Sequence, residues 1–373
     1  MQSTQETVLE EFMQRSFGAQ FLYIPKKYRK GSAHREPADL AWVDSELVAL
    51  FYLTSSNEEL DQQIEHNLRQ ANGYRRLWAT KKPAYALRGS NRFGDNCFVP
   101  YDTIKNQLII LVVSCECGVK ALSPLASEIN NAVLVIPEAL LHWISSFGGT
   151  FVDLLHIIST FIQLIKHTPD VPVGTDGKKV DFQILGALVQ KYVKESILKA
   201  DPEGIFLRGT PSEDFVFMNE HISRMRMPAN MGLALSSSDE RKVVARFFGD
   251  LMLVEFASIT AAAERAIQFS EPPRFRKWVV MKIRGLYYSF VIATVNFGTS
   301  KNVTESTVAA LDACKNDEGI MDAIMIQYGY IDDGLEFRTP IMITIPTPDL
   351  PRLHALVLAE QLISLSIANP EVK

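Results

Sequence analysis

Three groups of basic residues stand beside aromatics in a way that suits nucleic acid. Lys26-Lys27-Tyr28-Arg29-Lys30 places four cations in five positions. Arg69, Arg75, Arg76, Lys81, Lys82 and Arg88 form a looser set. Arg274, Arg276, Lys277, Lys282 and Arg284 are interleaved with Phe275 and Trp278. Cations neutralise phosphates and aromatic faces stack on bases, although the same residues also make an ordinary solvated face. Metal chemistry is a weaker prospect. Cys115 and Cys117, with Cys97, offer a C-x-C but no second paired ligand set, so buried core cysteine is expected. His142, His156 and His167 lack the i, i+4 partner of a zincin helix. The chain has no G-x-S-x-G, no P-loop and no strand-linked G-x-G-x-x-G, so nucleophilic-serine and nucleotide-cradle chemistries have no motif. The methionines from Met218 to Met231 read as gap fillers or an adaptable contact surface.

Several elements must position these groups. Residues 6–18 predict a helix, with Val8, Leu9, Phe12 and Met13 on one stripe. Phe21–Ile24 predicts a strand stopped by Pro25, and 26–37 a polar loop. Ala38–Val43 and Leu47–Leu53 predict a hairpin around Asp44-Ser45-Glu46. Glu58–Trp78 predicts a helix capped by Asn57, its stripe made of Leu60, Ile64, Leu68, Ala71 and Leu77. Cys97–Val99 is a short strand, while Gln107–Val113 and Ala132–Ile136 are apolar enough to be buried central strands. Pro137 opens a helix at its first position. Phe147-Gly-Gly149 is a helix–helix corner, and Thr150 with Asp153 has the spacing of a capping box for a helix to Lys166. Residues 167–182 read as linker, 182–199 as helix, 200–238 as mostly loop and Asp239–Gln268 as helix. Strands at 278–284, 286–297, 323–330 and 340–345 follow, with helices at 303–313 and 349–367.

The fold class is therefore mixed α/β. The expected divisions are a first domain over 1–166, a connector over 167–238 and a second α/β domain over 239–373. The second unit's order, α–ββ–α–ββ–α, echoes the first without a repeat at the level of residues. The chain has 373 residues, is 47% hydrophobic and 22% charged, and carries a formal charge of −5. Such a composition excludes a disordered chain and a disulfide scaffold. Net acidity argues against wholesale coating of nucleic acid. No apolar run is long enough for a membrane span, and the polar start is not a signal peptide. A soluble, cytoplasmic protein is expected.

Residues 6–88 resemble the PD-(D/E)XK restriction-endonuclease-like superfamily. The resemblance rests on a first helix with Glu10 and Glu11, then Arg35-Glu36-Pro-Ala-Asp39-Leu-Ala-Trp-Val43, Val48-Ala-Leu-Phe-Tyr52-Leu-Thr54 and the helix Gln63–Trp78. It covers about a quarter of the chain, and more if the strands at 107–113 and 132–136 complete the sheet. Such a fold implies an Asp at the start of the second strand, an acid on the third and a Lys two residues later. Together they hold Mg²⁺ and steady the attacking water. The sequence keeps Asp39. The implied acid position, thirteen residues on, is Tyr52, and the implied Lys position is Thr54. A neutral phenol and a hydroxyl cannot replace a carboxylate and an ammonium. Glu36 and Glu65 are the acids that could approach Asp39 instead. Asp102 with Glu116 is a rival pair, but Gly118 stands where Lys is needed. Gln63 and Gln70, seven apart on one helix face, occupy positions that face DNA in such folds.

The expected function is thus a catalytically degenerate nuclease-fold module that binds DNA, RNA or a protein partner, in a bacterial restriction or defence setting. The expected nucleic-acid contacts are Lys26, Lys27, Arg29, Lys30, Gln63, Gln70, Arg75 and Arg76. No metal or cofactor is expected. An active nuclease using Asp39 and Glu36 with Mg²⁺ is one alternative, and a purely structural protein is another. A homo-oligomer without membrane association is expected.

Overall fold

From Leu108 to Val113 every residue is Leu, Ile or Val, so both faces of that stretch must be covered. In the computed structural model of the chain it is a central strand. The structure describes Phe12 and residues 19–44, 46–54, 59–167, 177–205, 207, 249–268, 275–283, 286–296, 322–330, 342–345 and 353–367. The chain is mixed α/β and divides into two units. One comprises Met1–Tyr192 with Arg352–Lys373, the other Val193–Pro351. Among the described residues no helix is long and apolar enough to cross a membrane.

The first unit is built on an eight-stranded sheet. Its strands are β1 (Leu22–Pro25), β4 (Leu40–Val43), β5 (Leu47–Leu53), β6 (Leu87–Ser90), β7 (Asn96–Val99), β8 (Asn106–Val113), β9 (Lys120–Leu122) and β10 (Asn130–Pro137). Two further short strands, β2 (Tyr28–Lys30) and β3 (Ala33–Arg35), form a separate ribbon. The sheet order is β7-β6-β1-β4-β5-β8-β10-β9. β1, β4 and β5 run antiparallel, with Leu40 opposite Phe51. Helix α1 (Leu60–Trp78) then crosses over to β8, which is parallel to β5 with Tyr52 opposite Leu111. β10 continues parallel to β8.

Strand alternation divides the core. Val48, Leu50 and Tyr52 share one face with Ile109, Leu111, Val133 and Val135, under Tyr74 and Trp78 of α1. On the other face Phe151 stacks on Trp42 at 4.7 Å, and Phe12 and Phe151 both meet Phe51. Phe12 is helical and buried, and the rest of the helix expected at 6–18 lies outside the described residues.

Helices α2 (Glu138–Ser146) and α3 (Phe151–His167) follow β10. Pro137 is the cap of α2, not its first residue. Gly148 adopts φ +63°, its N–H bonding to Ser145 O, while Gly149 N–H reaches Ile144 O at 2.8 Å. This is a Schellman stop, and it needs glycine at the left-handed position. Thr150 and Asp153 then start α3 reciprocally. Asp153 Oδ2 accepts the Thr150 N–H at 2.7 Å, and Thr150 Oγ1 accepts the Asp153 N–H at 3.2 Å. Asp153 is fully buried and also receives the Tyr192 hydroxyl. Asp153→Ala is therefore expected to cost about 2–3 kcal/mol, since it removes a cap and strands buried donors. A urea midpoint equal to that of the parent would contradict this.

Four sequence expectations need correction. The polar loop over 26–37 contains the β2–β3 ribbon, closed by Gly31 at φ +62° and Ser32. Both strands are mostly exposed, so no apolar alternation announced them. Glu59 occupies the N-cap position of α1 without a side-chain cap hydrogen bond, and Asn57, the expected cap, lies outside the described residues. The 182–199 helix, α4, runs over Gly177–Ala200, and so takes in part of the expected linker. The helix expected at Asp239–Gln268 is described as α5 over Leu253–Gln268, where Glu255 Oε2 accepts the Met252 N–H.

The domain limits also differ. The boundaries fall at 192/193 and 351/352, where 166 and 238 were expected. The last helix, α6 (His354–Ile367), belongs to the first unit. It packs on α3, β8 and β10 and buries Leu356, Leu358 and Leu362. The second unit holds β11 (Phe275–Ile283), β12 (Leu286–Asn296), β13 (Asp322–Tyr330) and β14 (Met342–Ile345), in that order across the sheet. β11–β12 are antiparallel and β12–β13 parallel, as are β4–β5 and β5–β8 respectively. The expected helix at 303–313 and the Met218–Met231 stretch lie outside the described residues.

Candidate functional site

A cleft of about 830 Å³ opens between the β2–β3 ribbon and the exposed side of α1, with Asp39 and Leu53 among its lining residues. Lys27, Lys30 and Arg35 reach it from the ribbon, and Arg69 from the helix. His34, His66 and Gln70 also line it, and Gln70 Nε2 lies 3.0 Å from His66 Nε2. The carboxylates are Glu36 and Asp39. Lys27 pairs with Glu36 at 2.8 Å, which raises the lysine's affinity for its proton. Lys30, Arg35 and Arg69 are exposed and make no ion pair with a described residue.

Aromatic rings flank this cleft. Tyr28 is half-buried, 5.4 Å from the Tyr74 ring and edge-on to Tyr85 at 5.9 Å. Tyr74 stacks on Trp78 and donates its hydroxyl to Tyr85 O. Burial raises the Tyr28 and Tyr74 phenols above their usual range.

Asp39 sits just before β4 and holds the end of β5. Its N–H bonds to Phe51 O, and its Oδ2 accepts the Leu53 N–H at 2.7 Å. Tyr52, on β5, turns its ring into the core under α1 and is 1% exposed. Its hydroxyl has no hydrogen-bond partner. Burial, then Tyr74, Asp39 and Tyr28, push the phenol well above its usual range, so it stays protonated. Thr54 follows the strand. Its hydroxyl donates to Asn67 Oδ1 at 2.6 Å, and Asn67 Nδ2 donates to Tyr52 O at 3.1 Å. At this end of the sheet β5 and β8 leave backbone groups that need partners, and Asn67 and Gln63 supply them.

That need explains why α1 buries Gln63, Asn67, Tyr74, Arg75 and Trp78 together with Leu60 and Ala71 of the expected stripe, while Ile64 and Leu68 are only partly buried. Gln63 is 1% exposed. Its Oε1 accepts the Ser114 N–H at 3.0 Å and its Nε2 donates to Cys115 Sγ. It is a structural residue and not part of the cleft. Gln70, about 20° behind it on the helix after seven residues, does face the cleft.

The expected contacts therefore separate. Lys27, Lys30 and Gln70 line the cleft, whereas Arg75 is buried and donates to Ala126 O. Burial lowers the affinity of the Arg75 guanidinium for its proton. Arg76 is exposed but lies outside the lining. Lys26 donates to Asn96 Oδ1 and Arg29 to Gly31 O. Arg35, Arg69, His34 and His66 are polar cleft residues outside the expected contacts, although Arg69 stood in the second basic set. The signal for His66 was available, since it precedes Gln70 by four residues, and Arg69 follows His66 by three. Glu65 is exposed and not in the lining, while Glu36 shares the cleft with Asp39.

The side chains at the implied metal position do not fit a hard cation. One Asp39 oxygen is engaged by a backbone N–H, position 52 is a phenol, and position 54 is a hydroxyl bonded to an amide. Among the described residues no three His, Cys, Asp or Glu side chains converge. Cys115 and Cys117 lie beyond the end of β8, not on a strand, and Cys117 is buried in the core. Cys97, on β7, has a thiol pushed up to about 11 by burial. No family model, no curated protein and no solved structure matches this chain.

Proposed function

We propose that the first unit is a nuclease-type scaffold that binds nucleic acid through the Asp39 cleft and does not cut it. One observation carries the reading. The carboxylate of Asp39 straps β5 through Leu53 N–H, and the two positions where the resemblance implies an acid and a lysine are the buried Tyr52 and Thr54. The order β1–β4–β5 antiparallel, α1, then parallel β8 supports the scaffold part of the reading. Lys27, Lys30, Arg35 and Arg69 against Glu36 and Asp39 support the binding part, because the cations exceed the carboxylates and attract phosphate.

An active nuclease with relocated ligands has one observation in its favour, the presence of Glu36 and Asp39 in one cleft. Supercoiled plasmid with Mg²⁺ or Mn²⁺ separates the two. The protein is expected to retard DNA or RNA and to leave the plasmid intact. Nicking by the parent that disappears in Asp39→Asn would overturn the binding reading. Asn keeps an acceptor for Leu53 N–H, so that comparison does not depend on unfolding.

A further inference from the structure

The eight-stranded sheet ends at β7 on one side and at β9 on the other. An open edge is a row of backbone N–H and C=O groups able to pair with another chain, and proteins guard it with charge, proline or a cover. β9 carries Lys120. β7, Asn96-Cys-Phe-Val99, has no charged residue and no proline, and only its length of four residues limits what can pair with it. Among the described residues it pairs with β6 alone.

Register fixes what stands on the outer face beside that edge. Arg88 of β6 lies opposite Phe98, and Ser90 lies opposite both Asn96 of β7 and Ile24 of β1. Ile24 and Phe98 are each 55% exposed, whereas Leu87 and Val99 point into the core. Lys26 continues this face. Its N–H bonds to Arg88 O, and its Nζ reaches across β6 to Asn96 Oδ1 at 3.2 Å. The Arg88 guanidinium lies 5.1 Å from the centre of the Phe98 ring. Both cations are exposed and make no ion pair with a described residue, and none of these side chains is a carboxylate.

We propose that β7 is a docking edge for an extended, acidic segment of a partner protein, which adds to the sheet as a further strand. Main-chain pairing along β7 supplies the attachment, and alternate side chains supply the choice. The residues opposite Phe98 and Asn96 are two apart in the added strand and share the outer face. The first meets the exposed ring and is apolar. The second meets the Lys26 ammonium and is Asp or Glu. A basic segment is repelled there by Lys26 and Arg88. A row of open backbone groups is matched by another backbone and not by phosphate, which selects a peptide over nucleic acid.

Selection of a random linear peptide library, displayed on phage, against the immobilised full chain tests this. The enriched peptides are expected to share an apolar residue and an acid two positions apart. A synthetic peptide of that consensus, followed by fluorescence anisotropy, is expected to bind Phe98→Ser or Lys26→Glu about fivefold more weakly than the parent. On Lys26→Glu the library is expected to exchange the acid for Lys or Arg, a change that misfolding could not produce. Methylating one alternate set of the peptide's backbone nitrogens is expected to abolish binding, and methylating the other set to spare it, because only one set faces β7. Oligonucleotide affinity is expected to stay at the parent's value in Phe98→Ser, since the cleft is untouched. No enrichment, a consensus that survives Phe98→Ser with equal affinity, or equal binding of the two methylated peptides overturns the proposal. So does a parental dimer in sedimentation that dissociates in Phe98→Ser, which makes a second copy of the chain the occupant. A fall in oligonucleotide affinity in Phe98→Ser also overturns it and gives this face to nucleic acid.

Discussion

Tyr52→Glu combined with Thr54→Lys, the pair that the nuclease motif calls for, is expected to unfold the first unit and not to create an enzyme. Tyr52 is 1% exposed and Thr54 6%. A carboxylate at position 52 would enter a core of Val48, Leu50, Tyr74 and Trp78, with the introduced lysine at the equally buried position 54 as its partner. Taking both ions out of water costs several kcal/mol each and their attraction repays this only with well-placed further hydrogen bonds, which this core does not offer, so the cost is a large share of the about 5–15 kcal/mol that holds a domain together. Lysine at position 54 adds to this, because it removes the hydroxyl that donates to Asn67 and so loosens the amide's hold on Tyr52 O. Urea unfolding followed by fluorescence is expected to show a midpoint far below that of the parent, or no folded baseline. A double variant with the parent's midpoint and a new dependence on Mg²⁺ would show that these positions can hold a metal site. Tyr52→Phe is the control for volume.

Reversing Lys27, Lys30 and Arg69 to Glu is expected to have the second large effect, on binding. Three phosphate contacts contribute about 2.7 to the slope of log affinity against log salt, at about 0.9 each. At about 0.1 M salt the affinity for DNA or RNA should fall by about a thousandfold. Lys26→Glu with Arg29→Glu should leave the slope as it was, since one side chain turns to Asn96 and the other to Gly31 O. Lys26, Lys27, Arg29 and Lys30 belong to the same basic run, so the contrast between the variants tests the cleft and not the local charge density. Equal losses from the two variants would mean a diffuse basic surface. Parental affinity in the triple variant at matched salt would remove the cleft from the interface. Both variants change exposed residues, so circular dichroism should show the parent's secondary structure.

Much of the first unit was legible because burial imposes periodicity. Leu47–Leu53, Leu108–Val113 and Ala132–Ile136 lie in central strands and are unbroken apolar runs. The Schellman stop at Gly148-Gly149 and the reciprocal cap at Thr150 and Asp153 were also readable, because each depends only on residues a few positions apart. The β2–β3 ribbon was not. Its strands are short and mostly exposed, and their polar residues satisfy no core. Its only local sign was Gly31. The return of α6 to the first unit was also hidden, because an apolar helix does not say which sheet it will cover.

At the cleft the same division holds with greater consequence. Residue identity alone determined that an acid remains at position 39 while a phenol and a hydroxyl occupy positions 52 and 54. Those are chemical facts that no packing can change. Tertiary structure decided which neighbours are used. Gln63 and Gln70 share a helix face by spacing, yet one is sealed against Ser114 and the other opens to the cleft, because only the first lies over strand ends that need hydrogen bonds. Arg75 and Arg69 are equally basic, but burial turns one to Ala126 O and leaves the other exposed. Spacing along a chain sets direction within one element. Which direction meets solvent, backbone or core depends on elements far away in sequence, and here those are β8 and the β2–β3 ribbon.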